Sequence, residues 1–294
     1  MLRTNYVYLI MPLIYVVSLK GYYSDNPCSQ DGLGALGCEK IKQTTPYQIT
    51  MYGNGTSAKP YQLSPSSLGQ FIECQSCYLG QQLDLFKKPS SPFPQLPNGI
   101  DDTLRKAMIA SEAAGIMPNE FSAIQELAGF GLADRTLVGP TLRLQPKDHI
   151  VLNGREFTLT GKLDELFIKN GSGGTPDEYI IADYKTKRSL KHASSPPHEA
   201  YVRQLRCYAM ILRSHGHLVN DSALLLNYYP SENAIKDEVH PYLEFIVDRV
   251  DVSPSACAPV QHNLVLMGKA FLQATASGSP PPKKTDCSWC NYRA

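Results

Sequence analysis

The sequence predicts an α/β domain built on a mixed β-sheet, and three observations lead there. From Ser64 to Gly129, apolar residues recur at helical spacing. From Thr136 the pattern changes toward the two-residue period of strands. Beyond Pro196 the order is helix, two strands, helix, which suits layers of helix packed on sheet. The chain has 294 residues, 43% of them hydrophobic. That is enough for one substantial domain that buries its own core.

The first sixty residues stand apart. Arg3 precedes an apolar stretch, Tyr6 to Leu19, interrupted by Pro12. Its length fits the hydrophobic part of a targeting signal and is short for a spanning helix. No small-residue cleavage pattern follows. The expectation is therefore a cytoplasmic protein without stable membrane association, with targeting or anchoring as the lesser reading. Residues 21–60 are polar and read as linker. Residues 1–60 are thus an N-terminal extension, 61–276 the main domain, and 277–294 a linker and tail. Asn54-Gly-Thr matches a glycosylation triplet, which matters only in a secretory setting.

Within the domain each element has a local reason. Ser64-Pro65 opens a helix running to Leu85, with Leu68, Phe71, Ile72, Cys74 and Leu79 behind it. A Pro-rich segment, 89–97, follows. A helix over 100–115 opens on Asp101 and Asp102, acids suited to a positive helix end. A further short helix covers 120–129. Strands are expected over 137–144, 150–152 and 156–169, then over 178–187 after the turn cluster Asn170-Gly-Ser-Gly-Gly-Thr-Pro. Pro196-Pro197 opens a helix to Gly216. Strands near 223–229 and 242–247 precede a helix from Ser253-Pro254 to Ala276.

Composition removes several classes. The net charge of +1 and the apolar content exclude a wholly disordered chain. Beyond the N-terminus, no run approaches the ~20 apolar residues of a membrane span. The overall charge gives no argument for nucleic acid, so a basic surface must be local. One exists. From Lys185 to His217, seven Lys/Arg face one acid, Glu199, a local charge of +6.

Three strings hold the polar residues with most chemical promise: Gly161-Lys-Leu-Asp164, Asp183-Tyr-Lys185 and Gln204-Leu-Arg-Cys-Tyr208. Asp183 and Lys185 share one strand face. Asp164 and Asp183 are equidistant from a turn centred at 173–174, so a symmetric hairpin places them nearly opposite each other. Two carboxylates so placed repel unless a cation sits between them, which suits Mg2+. Lys185 could hold an attacking water and stabilise charge on phosphorus. Gln204 and Tyr208, one turn apart, share a helix face. Alone, an Asp-x-Lys pair on a strand is an ordinary solvated ion pair. The ordered combination beside a basic patch points instead to a polyanion cleaved at phosphorus.

Eight cysteines include two C-x2-C pairs, Cys74/Cys77 and Cys287/Cys290. Such gaps suit one shared metal centre better than a disulfide framework. By count, four thiolates suit structural Zn2+ or a [4Fe–4S] iron–sulfur cluster equally. Trp289 would shield such a centre. Cys28, Cys38, Cys207 and Cys257 read as ordinary thiols, with Cys207 facing away from the Gln204/Tyr208 side.

Gly161-x2-Asp164, Asp183-Tyr-Lys185-Thr and Gln204-x3-Tyr208 resemble the core of PD-(D/E)XK nucleases, specifically the branch similar to RecB and to CRISPR-associated exonucleases. Leu63-Ser-Pro-Ser-Ser-Leu-Gly-Gln-Phe-Ile-Glu-Cys74 is similar to the helix that opens many such domains. The resemblance spans roughly 61–294. It implies a restriction-endonuclease-like fold, a central mixed sheet flanked by helices, and a metal-dependent deoxyribonuclease serving repair, recombination or foreign-DNA processing. Asp164 and Asp183 would ligate Mg2+ or Mn2+ with help from the Tyr184 carbonyl. Lys185 would position water, and Gln204 and Tyr208 would organise the site. Lys187, Arg188, Lys191 and Arg203 would contact DNA, and a helicase or other repair protein would be the partner class.

Two features depart from the family pattern. Many relatives carry a His on the helix before the sheet, whereas no His precedes position 149 here; Asp101 is the nearest candidate for that role. Iron–sulfur relatives place one cysteine early and three late, whereas this chain splits two and two. The competing reading is a catalytically silent DNA-binding or scaffold protein that keeps the fold.

Overall fold

The computed structural model describes residues 51–86, 95–230 and 243–292. The apolar start, Cys28 and Cys38 lie outside the described residues. The chain enters the core early: Met51 is buried, and β1 (Tyr61–Leu63) pairs in parallel with a later strand. A strand of three residues carries too little periodicity to be read from sequence.

The helix expected over 64–85 is two helices, α1 (Pro65–Glu73) and α2 (Gln75–Gln82). Ser64 caps α1 in a reciprocal box with Ser67, and Pro65 opens it. Cys74 is extended, at φ −158° and ψ 105°, and ends one helix while capping the next with its own sulfur. The break turns the two early cysteines toward a common point. α3 (Gln95–Ala113) begins five residues before the expected helix. Its Pro97 falls in the first turn, where a missing N–H costs nothing. Asp102 therefore lies in the second turn, paired with Arg105 and Lys106. The expected helix over 120–129 reduces to α4 (Asn119–Ser122) and one 3-10 turn.

Two sheets follow. β2 (Gly131–Leu132) and β3 (Thr141–Arg143) are shorter than the strand expected over 137–144. β4 (Ile150–Leu152) and β5 (Arg155–Lys162) form a hairpin through Asn153-Gly154, both at positive φ, the two-residue turn that matches strand twist. β5 carries the first sheet, with β1, β3 and β4 on it. The single strand expected over 156–169 is interrupted at Leu163-Asp164. After the interruption β6 (Glu165–Lys169) joins the second sheet. Asp164 thus sits where the chain crosses between sheets.

The second sheet adds β7 (Glu178–Thr186), β8 (Leu218–Val219), β9 (Ser222–Pro230) and β10 (Leu243–Asp251), in the order β10-β9-β7-β6-β2 with β8 also on β7. β6 and β7 are antiparallel, Glu165 opposite Ala182 and Lys169 opposite Glu178. That is the register expected from the turn centre. β9 runs parallel to β7, so the connection must cross over. It does so through α5 (Leu190–Ala193) and α6 (Glu199–Ser214). α7 (Pro254–Ser277) ends on Gly278 in the left-handed conformation, and α8 (Ser288–Tyr292) holds the last cysteine.

The second sheet is covered on both faces. Ile181, Leu166 and Leu225 pack under Leu205, Ala209 and Leu212 of α6. On the other face, Ile180, Phe167 and Leu224 pack with Leu104 and Met108 of α3 and with Phe121 of α4. A third apolar cluster joins α1, α2, α7 and β5 around Phe157 and Phe271. This is the mixed sheet between helical layers that the sequence predicts.

Candidate active site and cysteine centre

Successive side chains of β7 take opposite faces, so Asp183 and Lys185 face α6, while Ala182 and Tyr184 face α3. Asp183 is fully buried and Lys185 is 18% exposed. The two are in direct ionic contact, and Lys185 Nζ also donates to the Tyr184 carbonyl at 3.1 Å. Asp164 arrives from the inter-sheet crossing. Its Oδ2 lies 4.0 Å from Lys185 Nζ, and its carboxyl is 39% exposed. From α6, Gln204 Nε2 donates to Asp183 Oδ1 at 3.0 Å and to Tyr208 Oη at 2.7 Å. The five residues singled out from sequence therefore meet at one place.

Gly161 makes the meeting possible. A Cβ there would lie 2.7 Å from Cε1 and 2.9 Å from Cδ1 of Tyr208, and 3.1 Å from Ile211 Cδ1. Its φ is not in the left-handed region, so space alone demands glycine. The tyrosine ring lies across bare β5 backbone and carries its hydroxyl to Gln204.

The electrostatics favour a cation. Burial holds the Asp183 carboxyl well above the usual carboxylate range; Lys185 opposes this, and the neighbouring Asp164 adds to it. Burial alone would lower Lys185, but Asp183 and Asp164 outweigh it and keep the ammonium charged. Asp183 Oδ2 is buried and its partner is the Lys185 ammonium. One ammonium serves two carboxylates, and a buried carboxylate beside a partly exposed one is a donor set that fits Mg2+ or Mn2+. Burial also raises Tyr208, which keeps its hydroxyl neutral.

Three groups at the site have no role assigned from the sequence, although His198-Glu-Ala-Tyr201 before Gln204 resembles family usage. The Tyr201 ring on α6 lies under two ammoniums, 5.1 Å from Lys185 Nζ and 4.9 Å from Lys187 Nζ. Its position three residues before Gln204, on the same helix face, was the available signal. Asn227 of β9 pairs with Lys185 in the sheet and donates to Asp248 Oδ2 at 2.8 Å. An Asn inside the run Leu224-Leu-Leu-Asn-Tyr-Tyr was its signal. Directly behind the site, fully buried Glu165 accepts from Arg135 at 3.0 and 3.1 Å, from the Leu166 N–H and from the Tyr184 hydroxyl. Burial raises its carboxyl above the usual range despite Arg135. Thirty residues separate Arg135 from Glu165, and no local pattern links them.

The basic residues divide. Lys187 is partly desolvated, which lowers its pKa, with Asp248 acting the other way. Arg188, before α5, and Lys191, within it, are exposed at the surface. Arg203 is partly buried, and its guanidinium packs on Gly69 of α1. Asp101 lies within α3, and its side chain is outside the described ones.

The four paired cysteines converge. Cys74, Cys77, Cys287 and Cys290 have all their sulfurs within 4.8 Å of one another. Cys74 Sγ is 3.5 Å from Cys290 Sγ, and Cys77 Sγ is 3.5 and 3.7 Å from those of Cys290 and Cys287. Trp289 packs against the group. Cys207 is buried in the apolar cluster around Phe157 and Phe271 and is pushed up to about 12 by that burial.

Comparison with known proteins gives the family. Residues 98–294, two thirds of the chain, match the PD-(D/E)XK nuclease superfamily, and the chain belongs to that superfamily. No curated protein matches. Among solved structures it is similar to an alkaline exonuclease from Laribacter hongkongensis, at 12% identity and TM-score 0.40, over 74% of this chain and 90% of that one. It is also similar to a putative exonuclease from Eubacterium rectale, at 11% identity and TM-score 0.42, over 79% and 88%.

Proposed function

We propose that this nuclease hydrolyses DNA phosphodiester bonds with a divalent metal, Mg2+ or Mn2+, held between Asp164 and Asp183. The observation that carries the reading is the pair of carboxylates, Asp183 buried and Asp164 partly exposed, that share the one ammonium of Lys185, with Gln204 on Asp183. Bound there, the metal would polarise a phosphate oxygen and lower the pKa of bound water. Lys185, kept charged by its two carboxylates, would orient the attacking water and oppose charge developing on phosphorus. Gln204 holds Asp183 in one orientation, and Tyr208 holds Gln204. Lys187, Arg188 and Lys191 would neutralise backbone phosphates. The cysteine centre, built from α1–α2 and the C-terminal tail, would be a structural metal site. Repair, recombination or foreign-DNA processing is the setting, with a helicase or other repair protein as partner and the cytoplasm as compartment.

The test is cleavage of linear, circular and single-stranded DNA in Mg2+, Mn2+ or EDTA. Asp164→Ala, Asp183→Ala and Lys185→Ala should each remove most activity, and pairs should lose little more than singles. Cleavage by Asp183→Ala at the wild-type rate would refute the assignment. Wild-type binding of DNA without cleavage in either metal would favour the scaffold reading instead.

A further inference from the structure

We infer that Cys74, Cys77, Cys287 and Cys290 hold one tetrahedral metal ion, zinc, and not the iron–sulfur cluster to which the family resemblance points. Size separates the two. Four thiolates on a single ion at ~2.3 Å stand ~3.8 Å apart at the corners of a regular tetrahedron. The closest sulfur–sulfur separations here are 3.5, 3.5 and 3.7 Å, and no pair exceeds 4.8 Å. A four-iron cube takes one thiolate at each of four outer corners, which spreads the sulfurs to about 6 Å or more. Reaching that span would require at least one cysteine pair to retreat by more than an ångström from every partner. Cys74, Cys77 and Cys290 are buried against their surroundings, which leaves little room for such a retreat.

The local backbone agrees with a single ion. Each pair spans two intervening residues, so each chelates from one short loop. Cys74 Sγ accepts the Cys77 N–H at 3.4 Å, a bond that stabilises a thiolate. The Cys290 N–H meets the Cys287 sulfur in the same way. The two halves are therefore alike: a two-residue knuckle whose first sulfur is held by the N–H of its second cysteine. Two equivalent knuckles facing each other make one closed four-sulfur shell, whereas iron–sulfur relatives divide their cysteines one and three. Among single ions, an all-thiolate tetrahedral site takes Zn2+ more tightly than Fe2+.

The centre stands apart from the catalytic carboxylates, so its test needs no activity measurement. The full chain, purified without oxygen or chelator, is weighed by mass spectrometry under non-denaturing conditions and analysed for zinc, iron and acid-labile sulfide. The expected result is one zinc per chain, no sulfide and a colourless protein. Growth in cobalt should give a protein with the visible bands of tetrahedral cobalt thiolate, lost in Cys287→Ser if that variant folds. The mass increment of four irons and four sulfides, with a brown colour, would overturn the single-ion geometry. One iron per chain without sulfide would overturn the choice of zinc, and a metal-free folded chain would overturn both.

Discussion

Replacing Gly161 with alanine perturbs the site without touching a polar group. The added Cβ would stand 2.7 and 2.9 Å from two carbons of the Tyr208 ring and 3.1 Å from Ile211. Ordinary carbon contacts are ~3.5–4.0 Å, so the ring must move by roughly 1 Å. Overpacking of this kind costs about 1–3 kcal/mol. In a domain of this size each kcal/mol lowers Tm by about 2–4 °C, so the loss should be about 2–12 °C. The rate should fall further than the stability. Tyr208 holds Gln204 at 2.7 Å, and Gln204 holds Asp183 at 3.0 Å. A misplacement of about 1 Å in such a chain costs on the order of 100-fold. The assay is single-turnover cleavage of a labelled duplex at saturating Mg2+, with thermal unfolding in parallel. Tyr208→Phe separates the parts, since it keeps the ring and removes only the hydroxyl. Gly161→Ala should cost at least as much rate as Tyr208→Phe, and the double variant little more than either. Wild-type rate and Tm in Gly161→Ala would refute the view that bare backbone at 161 positions the site.

Three further outcomes are expected. Removing Lys187, Arg188 and Lys191 together should weaken DNA binding and lower its log–log salt slope by about 0.7–0.9 for each phosphate no longer neutralised; fluorescence anisotropy in EDTA across a salt series reads it. Cys290→Ser should lower Tm, read by thermal unfolding, more than it lowers the cleavage rate at a temperature where the variant is folded, since the centre joins helices and tail and lies apart from Asp183. Arg135→Met should leave Glu165 buried without its counter-charge and cost about 3–5 kcal/mol in urea unfolding. Because burial raises the Glu165 carboxyl above its unfolded value, this loss should be smallest in acid and grow as pH rises through the folded pKa.

The candidate site was legible in sequence because its parts obey short-range rules. The turn at 173–174 fixes the β6–β7 register, with Glu165 opposite Ala182, so Asp164 enters one step before that pair, where counting places it across from Asp183. The two-residue period puts Lys185 beside Asp183, and the four-residue helix spacing puts Gln204 beside Tyr208. Elements set by tertiary contact were not legible. β1 and β2 are too short to show a period and exist because β5 and β6 offer them an edge. The break at Cys74 answers to the convergence of sulfurs, not to helix propensity. Arg135 meets Glu165 on the face away from Asp164, a consequence of strand parity that no motif announces. The start of α3 was hidden by Pro97, which reads as a breaker until it is placed in a first turn.

The cysteine centre also has a place in time. Cys77 and Cys287 are 210 positions apart, and at ~5–20 residues per second a ribosome takes roughly 10–40 s to make the chain between them. Throughout that interval the α1–α2 pair stands with half a ligand set, while both sheets and α6 can form and dock. An ion held there would complete its shell only after Cys287 and Cys290 had been made, when the rest of the domain has had time to assemble. Its capture would then be a final latch on the fold. A chain with misplaced strands would present its two cysteine pairs too far apart to share one ion.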